Sequence, residues 1–184
     1  LALTKYRNDD KVYQISGHFF EPPGLNINKA VFLPFISTWG WATWKSKWTG
    51  FNIEKEISLN GWDKKLIKKF NLNDSYNYYY ILKGVLKNKI QSWGVLWYLY
   101  VFQNEGLVLY PNNSLVINKG FDKEATNTTK SNYFQKTTKD FIEVTLPNEV
   151  KFNSDTFEIV SMYIKSINKD NLITWFLKKI NFHR

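Results

Sequence analysis

Cysteine is absent from the 184 residues, which excludes a disulfide framework and any Cys-ligated zinc site. Histidine is nearly absent. His18 and His183 are the only two, too few and too far apart in sequence to suggest a histidine-built metal centre or a Ser-His-Asp triad. Arginine is scarce too: 23 of the 25 basic residues are Lys, with Arg7 and Arg184 the exceptions. Base-edge and phosphate recognition leans on the bidentate guanidinium fork, so no nucleic-acid partner is expected. No run approaches the roughly 20 apolar residues of a membrane-spanning helix. Also missing are a Gly-rich phosphate loop, a G-x-S-x-G elbow and an EF-hand loop.

What remains is globular in composition, with 43% hydrophobic and 22% charged residues, enough for one compact domain or a large piece of one. The net charge of +9 comes from dispersed lysines such as Lys64, Lys65, Lys68 and Lys69, and reads as a solvated basic surface. Asn8-Asp9-Asp10 reads as a turn rather than an acidic metal pair. The opening LALTKYRNDDKV reads as the end of a helix running into a strand, so an N-terminal part is expected to be missing.

Along the chain, residues 11–20 and 30–36 read as strands, separated by the turn EPPG, with Pro34 placing the second near an edge or end. In STWGWATWKSKW (37–48), Ser37 or Thr38 is placed to cap a helix that carries Trp41, Trp44, Lys45 and Trp48 on one face. Helices are expected over Asp63 to Phe70, from Asp74 or Ser75 towards Lys89, and from Ser92 to Gly106, the last one apolar on most sides. Strands are expected at 107–110 and 114–118, and a polar surface loop from Asp122 to about Lys139. Residues 154–182 carry an amphipathic segment followed by an apolar-basic one. Interleaved strands and helices indicate an α/β chain.

Aromatics reach 18%, with 8 Trp. Trp offers a wide apolar face and an N–H that needs a partner when buried. By position, Trp44, Trp48 and Trp97 read as core. For Trp39, Trp41 and Trp93, at or before helix starts, a ligand-facing role competes with a core one. Sugar rings present C–H faces that stack on such planes.

The order of motifs resembles the C-terminal half of bacterial family-two-type glycosyltransferases of the GT-A fold. The resemblance is carried by VYQISG (12–17), STWGWATWKSKW (37–48), SWGVLW (92–97), NEGLVLYPNNSLVINKGF (104–121) and DKEATNT (122–128). It implies an acceptor-side half over residues 1–128, a helical C-terminal extension over 129–184, and a nucleotide-binding half upstream. It also implies transfer from a nucleotide-sugar donor to a carbohydrate acceptor in surface polysaccharide or lipopolysaccharide synthesis, with a divalent metal (Mn or Mg) held mostly by the missing half. The implied acids are Glu124 first and Asp122 second. The implied substrate-binding set is Trp39, Gly40, Trp41, Trp93, Gly94, Trp97 and Asn127. Two positions depart from the family pattern, Gly94 where it often has Asp and Asn127 where it has His. The alternative is a noncatalytic carbohydrate-binding or scaffold module derived from such an enzyme. A cytoplasmic location is expected, with Lys165, Lys169, Lys178, Lys179 and Arg184 beside Ile173, Trp175 and Phe176 suited to peripheral contact with anionic membrane.

Overall fold

The computed structural model describes residues 1–52, 57–117 and 143–181, with side chains described up to residue 168. A short helix α1 (Ala2–Lys5) leads into β1 (Val12–Ser16), followed by β2 (Val31–Leu33) and β3 (Trp41–Ala42). Helices α2 (Lys45–Gly50), α3 (Lys64–Phe70), α4 (Tyr78–Leu86) and α5 (Trp93–Gln103) precede β4 (Leu107–Tyr110), and α6 (Ser154–Asn181) ends the described chain.

The strands form one mixed sheet in the order β2-β4-β1-β3. β4 lies parallel to β1, pairing Ile15 with Leu109, and antiparallel to β2, pairing Phe32 with Leu109. Successive side chains of β4 alternate between faces. Val108 and Tyr110 enter the larger core with Trp97, Tyr98 and Phe35, while Leu107 and Leu109 join Tyr6, Val12 and Phe32 on the other face. With both faces covered, all four β4 residues are buried, which is why that strand reads as an unbroken apolar run. The chain is therefore mixed α/β. β2 stands at a sheet edge, as Pro34 had suggested.

α5 is the central buried helix. Ser92 caps it through Oγ, which accepts from Val95 N–H, and six of its eleven residues are buried. Its polar tips are matched: Tyr98 Oη donates to Phe70 C=O at 3.0 Å, and Trp97 Nε1 donates to Gln14 Oε1 at 2.7 Å. α6 leans on the domain through Val160, Ile164 and Ile167, an i, i+4, i+7 stripe.

Three sequence expectations need correction. Trp41 does not lie on a helix. It pairs with Ser16 in β3, and α2 begins only at Lys45, because Gly40 has φ +53° and breaks the run. α4 starts at Tyr78 rather than at Asp74 or Ser75, because Leu72, Asn73 and Asp74 all take positive φ and turn the chain first. Asn77 supplies the cap instead, accepting from Tyr80 N–H. Residues 114–117 form no strand. They are held instead by Leu115 N–H donating to Gly17 C=O at 2.7 Å. Residue 118 and the expected loop at 122–139 lie outside the described residues.

Candidate functional site

Three of the singled-out segments meet where β1 ends. Gly17 N–H donates to Gly40 C=O at 2.6 Å, and the Gly17 carbonyl accepts from Leu115. A Cβ on Gly17 would sit 2.5 Å from the Gly40 oxygen, and one on Gly40 would sit 2.5 Å from Val116 Cγ1. Gly40 also needs its positive φ, which other residues adopt at a cost. That bend has a steric consequence. In a regular strand, residues i and i+2 share a face, but the turn at Gly40 gives Trp39 and Trp41 different neighbours. Trp39 packs on the His18 ring with centroids 4.5 Å apart. Trp41 stacks on Trp93 at 5.8 Å and 29°.

The second arrangement is an aromatic platform. Trp41 comes from β3, Trp48 from α2 and Trp93 from the first turn of α5. Trp48 lies 5.9 Å from Trp41 and 5.4 Å from Trp97, and Phe51 lies 5.3 Å from Trp48. Trp41, Trp48, Phe51 and Trp93 line an open hollow of about 520 Å³. Trp93 is 45% exposed and Trp48 43% exposed, so the hollow presents ring faces to solvent. Trp97 is fully buried. Its indole N–H is taken by Gln14, whose Nε2 in turn donates to Ser37 C=O at 2.6 Å. Trp97 therefore supports the platform from beneath and presents no face to a ligand, contrary to its place in the implied substrate set. Trp44 is spoken for as well, its Nε1 donating to Leu3 C=O at 2.9 Å.

The first arrangement is a more enclosed cavity of about 410 Å³, walled by His18, Trp39, Tyr76, Tyr78, Gly94 and Asn168 among others. His18 is 5% exposed, and burial lowers its pKa from 6.5 to about 4, because desolvation disfavours the charged ring. Its Nδ1 faces Ser37 Oγ at 3.2 Å. The same desolvation raises the pKa values of Tyr76 and Tyr78. At neutral pH the ionisable groups of this wall are thus uncharged.

Of the sequence-predicted residues, Trp39 and Gly94 come together at the cavity and Trp41 and Trp93 at the platform, with Gly40 as the hinge between them. Glu124, Asp122 and Asn127 lie outside the described residues. Among the described residues no three His, Asp or Glu side chains gather to hold a metal. Sequence reasoning placed Trp48 in the core and passed over Phe51. No signal in the sequence marked either, since their exposure follows from how α2 sits beside α5. His18 carried only a weak signal, as a lone histidine just past a strand.

Among the described residues, no helix is long and apolar enough to cross a membrane. Comparison of the chain with protein-family models, with curated proteins and with solved structures found no match.

Proposed function

We propose that this chain is the acceptor-side part of a glycosyltransferase that moves a sugar from a nucleotide-sugar donor to a carbohydrate acceptor in bacterial surface polysaccharide or lipopolysaccharide synthesis. The observation that carries the reading is the platform of Trp41, Trp48 and Trp93, three indoles from three elements around an open hollow. An exposed apolar patch of this kind is unusual on a soluble surface, and the C–H faces of a pyranose fit flat aromatic rings. The motif order and its GT-A resemblance supply the reaction class. In this reading the protein is cytoplasmic, and its basic C-terminal segment rests against anionic lipid near lipid-linked acceptors.

In the transfer, the acceptor hydroxyl forms its bond to the anomeric carbon as the bond to the diphosphate breaks, and the hydroxyl proton passes to a carboxylate. Glu124 is the first candidate for that carboxylate and Asp122 the second. A Mn or Mg ion, when bound, stabilises the leaving diphosphate. The described residues offer it no ligand set.

A second reading, a noncatalytic carbohydrate-binding module, draws on Gly94. Where a carboxylate would enter the cavity wall this chain has no side chain, and none of the cavity's described lining residues is charged. One assay separates the two readings. The whole gene product is incubated with a panel of nucleotide sugars, glycan acceptors and manganese, beside Glu124→Gln. Transfer that collapses in the variant supports the enzyme with Glu124 as its base. Transfer that survives keeps the enzyme and removes Glu124 from the chemistry. Glycan binding without transfer by the folded protein favours the module.

A further inference from the structure

The cavity beside the platform has features that the platform does not need. It is more enclosed, and its lining is mostly aromatic and aliphatic with a few hydrogen-bonding groups. That mixture is typical of small-molecule pockets, where apolar walls bind and sparse polar groups orient. His18 is the most informative of those groups. Its ring is almost completely buried, Nδ1 is engaged with Ser37, and Nε2 has no hydrogen-bond partner among the described residues. Nε2 is not sealed off: it keeps a small opening at the cavity wall, where a ligand or water can meet it. Gly94 contributes space. A Cβ added there would have Thr38 Cγ2 at 3.5 Å as its nearest neighbour, ordinary contact that leaves room for a side chain pointing inwards.

We propose that this cavity is a sugar subsite for an uncharged residue bearing an acetamido group, with the amide read by His18 Nε2 and the methyl seated among Phe20, Trp39 and Tyr78. The inference rests on the carbohydrate reading of the platform and specifies what lies next to it. Trp93 belongs to the platform while its neighbour Gly94 belongs to the cavity, and Trp39 and Trp41 divide in the same way. Adjacent residues of one glycan can therefore occupy both. A plain hexose would leave the apolar wall unmatched. A uronic acid or a diphosphate would bring a charge into a lining whose described residues hold no counter-charge, which is strongly disfavoured. His18, holding a proton only in acid, is a weak base at neutral pH. Its part is to hydrogen-bond the ligand, and it takes no proton from it.

The test is saturation-transfer NMR on the whole chain with three probes: methyl β-N-acetylglucosaminide, methyl β-glucoside and methyl β-glucuronide. The acetamido methyl of the first is expected to show the strongest transfer, and its affinity to exceed that of the glucoside by about tenfold, the worth of one net hydrogen bond with its burial. Gly94→Leu, which adds an isobutyl group at the cavity wall, is expected to abolish that preference while leaving weak stacking of all three probes on the platform. His18→Phe is expected to reduce the preference, and an unchanged amide spectrum shows that either variant is folded. Gly94→Ala, a smaller insertion, guards against a Leu variant that does not fold and is expected to weaken the preference in part. Equal binding of the first two probes, or a preference that survives Gly94→Leu, overturns the subsite and leaves the platform standing. No transfer to any probe, with Trp48→Ala indistinguishable from the parent, overturns the subsite together with the carbohydrate reading itself.

Discussion

Trp93 and Trp97 sit one turn apart on the same helix and share Trp41 as a neighbour, at 5.8 and 5.9 Å, yet they have opposite fates. Trp97 is sealed beneath the sheet with its N–H bonded to a buried glutamine, whereas Trp93 keeps nearly half of its surface in water. Residue type does not separate them. What does is position along α5: Trp93 is its first residue and lines the open hollow, whereas Trp97 lies one turn further in, among the core residues Val95, Leu96 and Tyr98. Aromatic content alone therefore cannot tell a binding surface from a core, but a satisfied or free ring edge can.

The contrast breaks most sharply by truncation. Trp97→Ala is expected to cost about 4 kcal/mol, from the lost volume and the orphaned Gln14 amide, while Trp93→Ala stays within about 1 kcal/mol. Urea unfolding of the two variants measures the difference. A comparable loss in both would erase the distinction between support and platform.

The cavity side sharpens it through pH. His18 has a folded pKa near 4 against 6.5 when unfolded, so between those values the unfolded chain binds more protons than the folded one. Stability therefore rises with pH across that window, and acidification from pH 7 to 4 is expected to remove about 3 kcal/mol through this ring. Denaturation midpoints followed from pH 7.5 to 4.5 should show that slope in the parent and lack it in His18→Phe. Identical slopes would mean the ring is not buried neutral.

The hinge between the two hollows is next in size. Gly40→Ala drives a methyl towards Val116 and strains a positive φ, an expected cost of about 2 kcal/mol, accompanied by altered Trp emission as Trp39 and Trp41 lose their separate settings. Smallest is the effect of the tail. A chain ending at residue 168 keeps the packed stripe of α6 but is expected to lose sedimentation with anionic liposomes. Retained sedimentation would remove the lipid contact.

Much of the fold was legible wherever local chemistry settles the structure. Asp63 and Ser92 cap helices where their sequence context says they should, and the apolar run 107–110 is the buried strand it resembles. The failures share a cause. Trp41, Trp44 and Trp48 have helical spacing, but pairing of Trp41 with Ser16 across 25 positions draws the first of them into the sheet. At Leu72 to Asp74 the backbone turns left-handed before α4, a conformation that Asn and Asp tolerate and that propensity alone does not single out. The site was legible in its ingredients, Trp39, Trp41, Trp93 and Gly94, and illegible in their division. That division depends on one bend at Gly40, and on the way α2 brings Trp48 and Phe51 against α5.

The proposed function turns on whether glycan stacks on Trp48 and Trp93. The most direct measurement is titration of tryptophan emission with a neutral oligosaccharide such as triacetylchitotriose, in the parent chain and in Trp48→Ala and Trp93→Ala. A saturable shift is expected in the parent, weakened about tenfold or more in both variants while their unfolding midpoints stay close to the parent's. An undiminished shift in both variants, or none in a folded parent, would contradict it.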